Sequence, residues 1–287
     1  MGQRYSTLTK LSKTKFRRYI GVTRDIFNIM VVIVTSHEKK RKKKDGRNAN
    51  LTIEDQILMT LTYYREYRTF FHLGTDYGLH ESNVQRTVEK IENILLKSGY
   101  FNLPGKKVLL SNEQITTILT DATESPAFRP KKKIKNGKKI KRSSKQRRKY
   151  SGKKKRHTHK SQVIVNADTL EIICVSFANG SCHDFKLYKN SKIRINPSIK
   201  QKTDSGYQGL EKLHQNSDLP QKKTKKHKLD KEQKKKNRKL SSERVENEHV
   251  IGKLKIFKIL ENRYRSHSGF GKIFTLISGI YNANLAA

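Results

Sequence analysis

Ile115-Thr116-Thr117-Ile118-Leu119-Thr120-Asp121 is the stretch at which the chain changes period. β-Branched residues dominate it, and such side chains fit a pleated strand better than the crowded turn of a helix. The run reads as a strand from Ile115 to Thr120 that ends on a carboxylate, Asp121, and leads into Thr123-Glu124-Ser125-Pro126. Upstream, from about residue 10 to 98, apolar residues recur at helical spacing. Downstream, from about 108 to 210, short β-branched runs take over, and after 240 the helical period returns. This predicts an α+β or α/β fold, with a helical region over residues 1–104 and a sheet-containing region over 105–287.

Two further strands follow the first. Gln162 to Asn166 and Ile172 to Ala178 are short apolar runs, and Asp168-Thr169-Leu170 stands between them as a turn. The last quarter holds a helix from Ser242 to about Leu260 and another from Phe270 to about Asn284. The second of these places Phe270, Ile273, Phe274 and Ile277 on one face.

Charge narrows the partner. Lys and Arg total 64 against 25 Asp and Glu, a formal net charge of +39. A compact domain so charged repels itself unless a polyanion is near, and release of counterions from phosphates then dominates binding. The cations gather in three stretches, Lys39 to Arg47, Lys131 to Lys160 and Lys222 to Lys239, which read as loops or solvated faces. Nucleic acid is the partner this predicts. A membrane-surface protein would need an amphipathic basic helix, and none is visible. The longest apolar run, Ile29 to Val34, is far too short to cross a bilayer. Cys174 and Cys182 are the only cysteines, which suits a reducing cytosol.

The N-terminal region contains the pattern of a sequence reader. Thr52 with Asp55 resembles a helix start, and Ile57, Leu58, Leu61 and Tyr64 follow at helical spacing. A second helix runs to about Tyr77, where Gly78 breaks it, and a third carries the stripe Val84, Val88, Ile91 and Leu95. Helix, glycine turn, helix is the layout of a helix-turn-helix, with Gly74 as the small residue at the crossing. Asn83, Gln85 and Arg86 then face outward from the recognition helix, with side chains suited to base edges. A plain helical hairpin would show the same pattern, and His80 is a poorer N-cap than Ser or Thr.

Chemistry is suggested first by Ser241-Ser242-Glu243-Arg244-Val245-Glu246-Asn247-Glu248-His249-Val250-Ile251-Gly252-Lys253-Leu254-Lys255. At about 100° per residue, Glu248 lies about 40° and Lys255 about 20° from Arg244, while Val250, Leu254 and Phe257 gather at about 220–280°. Arg244, Glu248 and Lys255 therefore share a polar stripe with Ile251, apart from the apolar face. One carboxylate between two cations suits a metal and a phosphodiester, although an i, i+4 surface pair has the same spacing. Asp204 opens Asp204-Ser205-Gly206-Tyr207-Gln208-Gly209, whose glycines make a turn with the aspartate at its mouth. Two aspartates at strand ends and a glutamate on a later helix could meet at the carboxyl edge of a sheet. A zinc site drawn from Cys174, Cys182, His183, His157 and His159 is the metal alternative, but it lacks any Cys-x2-Cys unit.

With these residues in place the chain resembles bacterial insertion-sequence transposases of the DDE type, in the large family founded on insertion sequence five. The most specific element is the family's Tyr-x2-Arg-x3-Glu-x6-Lys signature, met at Arg244, Glu248 and Lys255. Agreement extends to Asp121-Ala122-Thr123-Glu124, Tyr150-Ser151-Gly152-Lys153-Lys154-Lys155-Arg156-His157-Thr158 and Gly180-Ser181-Cys182-His183-Asp184. It continues through Asp204-Ser205-Gly206-Tyr207-Gln208-Gly209 and Gly279-Ile280-Tyr281-Asn282, and Tyr64 to Thr69 is similar to the family's helix-turn-helix region. Two positions depart: Ser241 replaces the signature tyrosine, and Ile199 to Thr203 is more polar than a buried central strand should be.

The resemblance implies a ribonuclease H-like catalytic domain over residues 105–287, with the helix-turn-helix in residues 1–104. It implies that Asp121, Asp204 and Glu248 are the catalytic acids and hold two divalent ions, Mg²⁺ or Mn²⁺, about 4 Å apart. Asp121 would bridge both ions, and Asp204 and Glu248 would each complete one. In the reaction so implied, water would cut at the element's ends and the freed 3′-hydroxyl would then attack target DNA. Arg244 and Lys255 would contact phosphates, Lys153, Lys154, Lys155 and Arg156 would add affinity, and His183 and Asp184 are possible support for the site. The partners implied are double-stranded DNA and further copies of the chain, with no membrane and no small-molecule substrate, in the cytoplasm at the nucleoid. The competing readings are a DNA-binding regulator or catalytically dead relative, and a general nuclease of the same fold.

Overall fold

The computed structural model describes residues 4–41, 49–111, 114–131, 134–135, 138–139, 144–223 and 229–286. Residues 42–47, 132–133, 136–137, 140–143 and 224–228 of the three lysine-rich stretches lie outside the described residues. The chain forms two compact units. One holds residues 1–102, 254–262 and 272–287, and the other holds residues 103–253 and 263–271. The C-terminal helix thus returns to the first unit, which no linear boundary would show.

The first unit is helical. Its helices include α1 (Lys13–Ile20), α2 (Arg24–Arg41), α3 (Ile53–Glu66), α4 (Phe70–Tyr77) and α5 (Glu81–Lys97). Thr52 caps α3 by accepting a hydrogen bond from the Asp55 N–H, and Thr69 caps α4 through the His72 N–H. Gly78 ends α4 in the left-handed region at φ 65°. His80 does cap α5, with its Nδ1 accepting from the Ser82 N–H at 3.3 Å. Val84 and Val88 of α5 pack with Leu51, Met59 and Leu73 in one buried cluster. The three-helix arrangement read from the sequence is therefore present.

Gly74 is needed because a Cβ built there would lie 2.4 Å from the Leu79 carbonyl oxygen. Gly74→Ala should gain about 1 kcal/mol of helix propensity. The overlap is expected to outweigh that gain, for a net loss of about 2 kcal/mol. Urea melts followed by far-UV circular dichroism would read it, and an unchanged or higher midpoint would show that the turn can yield.

The second unit is built on a six-stranded sheet. Its strands are β1 (Thr117–Pro126), β2 (Tyr150–Ser151), β3 (Arg156–Asn166), β4 (Ile172–Asn179), β5 (Lys200–Thr203) and β6 (Ser217–Asp218). They are arranged β4-β3-β1-β5-β6, with β2 pairing the start of β3. β4, β3 and β1 are antiparallel neighbours, whereas β1, β5 and β6 run parallel. That is the strand order of a ribonuclease H-like fold. Helices α6 (Asp184–Ser191) and α7 (Lys231–Lys255) follow, and α8 (Phe270–Ala286) closes the chain.

Several sequence expectations are corrected. β1 starts at Thr117 and runs through Asp121 to Pro126, because β3 pairs with it along its whole length from Ile118 to Pro126. β3 begins at Arg156, so the end of the second lysine-rich stretch is strand, and residues Ser144–Lys149 form a helical turn. α7 starts within the third such stretch, at Lys231, and stops at Lys255. Among the described residues no single helix is long and apolar enough to cross a membrane.

Candidate active site

Asp121 and Asp204 come together through strand register. β1 and β5 pair in parallel, and their last partners are Thr120 and Thr203. Each aspartate is the next residue, so both stand where two strands about 4.8 Å apart stop pairing. Each also spends one oxygen on the backbone. Asp121 Oδ1 accepts from the Ala122 N–H at 2.7 Å, and Asp204 Oδ1 accepts from the Gly206 N–H at 2.7 Å. Among the described residues neither Oδ2 has a hydrogen-bond donor. Burial pushes the Asp121 carboxyl up to about 6, and the charges of Asp204 and Asp184 add to this. The Ala122 N–H and the Arg244 guanidinium act in the opposite direction.

The polarity of β5 turns out to be compatible with a central strand. Gln201 and Thr203 are fully buried. Gln201 donates to the Thr120 hydroxyl at 2.9 Å and accepts from the Tyr188 hydroxyl at 3.1 Å. Lys202 pairs with Glu243 at 2.8 Å, and Lys200 with Asp218 at 3.0 Å. Buried polar groups are tolerated where they are hydrogen-bonded, as Gln201 is, although the buried Thr203 hydroxyl has no partner among the described residues.

Asp184 belongs to the same neighbourhood. It opens α6 and accepts from Lys160 Nζ at 2.6 Å, while Lys160 also faces Glu124 at 3.6 Å. A Cβ on Gly206 would stand 2.7 Å from Asp184 Oδ2 and 2.9 Å from Asp204 Oδ1, so only glycine lets the two carboxylates flank this turn. Tyr207 is wholly buried. Its hydroxyl is held well above its ordinary range by burial and then by the charges of Asp121, Asp184 and Asp204. Lys160 and Tyr207 were not singled out in the sequence. Lys160 was hidden inside a cationic run, and only its alternation within Lys160-Ser161-Gln162-Val163 could have hinted at a strand. His183 is exposed and caps α6 without a side-chain hydrogen bond.

On α7, Leu240, Asn247, Val250, Ile251 and Leu254 are buried, Arg244 and Lys255 are half-buried, and Glu248 is exposed. Ile251 thus belongs to the buried face and not to the polar stripe. Arg244 lies near enough to Asp121 for its charge to act there, and Glu243 reaches Lys202. Glu248 forms no ion pair among the described residues. No three Asp, Glu, His or Cys side chains among them stand close enough together to hold an ion. This includes the zinc alternative, in which burial pushes the Cys174 thiol up to about 12 and so disfavours a thiolate ligand.

The residues expected to meet DNA from the helix-turn-helix and from the lysine-rich turn are on the surface. Asn83, Gln85 and Arg86 are exposed on α5, where Arg86 donates to Asn83 Oδ1 at 2.8 Å and Gln85 to Glu89 at 2.9 Å. Lys153, Lys154, Lys155 and Arg156 are exposed in and beside the turn between β2 and β3.

Comparison with known proteins gives the family. The family described as DDE superfamily endonuclease matches residues 121–282, and the helix-turn-helix of DDE superfamily endonuclease matches residues 49–101. A probable transposase for insertion sequence element IS702, from Microchaete diplosiphon, is 48% identical over 279 residues, covering 96% of each chain. Among solved structures, a Mos1 transposase paired-end complex with left transposon end aligns over 85% of this chain and 77% of that one, at TM-score 0.29 and 9% identity. A pre-cleavage Mos1 transpososome aligns over 85% and 78%, at TM-score 0.32 and 10% identity. The chain belongs to the DDE superfamily of endonucleases, as one of its insertion-sequence transposases with a helix-turn-helix.

Proposed function

We propose that this transposase binds the terminal repeats of its element and carries out divalent-metal-dependent strand cleavage and strand transfer. Asp121, Asp204 and Glu248 are its catalytic acids. The observation that carries this reading is the pair of half-buried aspartates just beyond the last parallel β1–β5 pair, each with an Oδ2 that has no hydrogen-bond donor among the described residues. Two hard oxygens without a hydrogen-bond donor suit Mg²⁺ or Mn²⁺, and Glu248 would complete the ligand set for a second ion. Glu248 sits one helical turn beyond Arg244, and nothing among the described residues ties it down. Bound cations supply Lewis acidity to the phosphodiester and the attacking oxygen. Arg244 and Lys255 hold phosphates near the cut. Water attacks first at the element's ends, and the exposed 3′-hydroxyl then attacks target DNA. The protein acts as a homo-oligomer on DNA, in the cytoplasm at the nucleoid. Labelled DNA carrying an element end tests the reading: cleavage should need Mg²⁺ or Mn²⁺ and stop in EDTA. DNA binding with no cleavage under any divalent ion would favour a regulator instead.

Specificity and affinity divide between the two units in this reading. Gln85 and Arg86 present side chains able to pair with base edges, whereas Lys153 to Arg156 offer charges that any phosphate satisfies. Replacing Gln85 and Arg86 by alanine is expected to remove the preference for element ends over random DNA and leave much nonspecific binding. Alanines at Lys153, Lys154, Lys155 and Arg156 should weaken all DNA binding and flatten its salt dependence, by nearly one log unit of slope per lost contact. Competition binding across a salt series measures both. An unchanged preference after the first pair of changes would move end recognition out of α5.

A further inference from the structure

Lys160 is the charge that the proposed reaction leaves unexplained. It is 7% exposed, in the middle of β3, in a protein with cations to spare at its surface. An ammonium in that position survives only if anions compensate it, and two do. Glu124 on the neighbouring strand faces it at 3.6 Å, and Asp184 at the start of α6 accepts from it at 2.6 Å. Glu124 is itself held by the Thr158 hydroxyl at 2.8 Å. The other oxygen of Asp184 lies against Gly206, the residue whose N–H fixes Asp204 Oδ1. An unbroken set of contacts therefore runs from Glu124 through Lys160 and Asp184 to the turn that orients Asp204.

We infer that Asp184, held by Lys160, is a positioning residue for Asp204 and sets the charge that a divalent cation meets there. This rests on the reading that Asp121 and Asp204 hold the cation. Asp184 touches neither the cation nor DNA in this role. It contributes negative charge beside Asp204 and keeps the Asp204–Gly206 turn in place, and Lys160 limits how far that charge rises. Such an arrangement makes a signed prediction. Removing the anion should weaken cation binding, removing the cation should strengthen it, and removing both should restore it. A purely structural pair would make both single changes weaken binding.

The experiment is titration of the full-length, DNA-free protein with Mn²⁺ alone, with free ion read by electron paramagnetic resonance and folding checked by circular dichroism. Asp184→Asn is expected to raise the Mn²⁺ dissociation constant about tenfold, the scale for loss of one nearby charge that solvent largely screens. Lys160→Met should lower it by a comparable factor, and the double variant should bind within about threefold of wild type. If Lys160→Met does not fold, the double variant still decides, because restored affinity relative to Asp184→Asn supports charge compensation. Weaker binding in both single variants with no restoration in the double overturns the inference. Asp204→Asn separates the two levels. If it abolishes Mn²⁺ binding while Asp184→Asn changes nothing, only this inference fails. If Asp204→Asn also changes nothing, the metal assignment fails with it.

Discussion

Asp121→Asn protein, stripped of metal, is expected to be more stable than the wild type at pH 7 and to have lost strand cleavage. The two effects share one cause. Burial, with help from Asp204 and Asp184, raises the Asp121 carboxyl from 3.8 to about 6. Because the folded state binds this proton more tightly than the unfolded state, the sign is the reverse of the common salt-bridged aspartate. Well below the unfolded value of 3.8 both states are protonated and no penalty exists. As pH rises towards 6 the unfolded chain ionises readily while the folded site resists, so stability falls, and it stays lowered above that window. The shift corresponds to roughly 2 kcal/mol once partial exposure is discounted. Asparagine removes the charge and keeps an oxygen for the Ala122 N–H. Cleavage should fall by about a thousandfold or more, because a neutral amide is a poor ligand for a hard divalent ion. Thermal melts in EDTA from pH 4 to 8 check the first half, and the difference between variant and wild type should narrow as pH falls towards 4. A difference constant across that range would place its origin elsewhere than in the carboxylate's charge.

Glu248→Gln and Glu243→Gln are expected to behave in opposite ways. Glu248 is exposed with no ion pair among the described residues, so Glu248→Gln should leave stability within about 0.5 kcal/mol of wild type. It should nevertheless reduce cleavage about a thousandfold while DNA binding survives, since the phosphate-gripping cations are untouched. Glu243 pairs with Lys202 at 2.8 Å, so Glu243→Gln should cost about 1 kcal/mol of stability and leave most cleavage intact. Cleavage of a labelled element end, paired with melts of both variants, reads the contrast. If Glu243→Gln abolished cleavage and Glu248→Gln did not, the third acid would be Glu243.

Local patterning carried much of this protein into view. The helix-turn-helix was legible because Thr52, Gly78 and the Val84-Val88-Ile91-Leu95 stripe are local signals, each acting within a few residues of chain. The hairpin of β3 and β4 was legible for the same reason, with Asp168 to Leu170 between two apolar runs. The composition of the chain also dictated its partner, since a net charge of +39 needs no fold to attract phosphate. Asp121, Asp204 and Glu248 could be named from motifs, but motifs carry no distances.

What the tertiary structure decided is which polar groups are buried, because burial depends on neighbours far along the chain. Lys160 looked like one more cation of a solvated loop until β1 supplied Glu124 and α6 supplied Asp184 around it. β5 looked too polar for a central strand until Thr120 and Tyr188 satisfied Gln201. The parallel register of β1 and β5, pairing Thr120 with Thr203, is what makes neighbours of two aspartates more than eighty residues apart, roughly one strand spacing from each other. On α7 the helical period placed Arg244, Glu248, Lys255 and Ile251 together. Only packing could separate them into a buried Ile251, a half-buried Arg244 and an exposed Glu248, because a period fixes angles around a helix and not which angle meets the core.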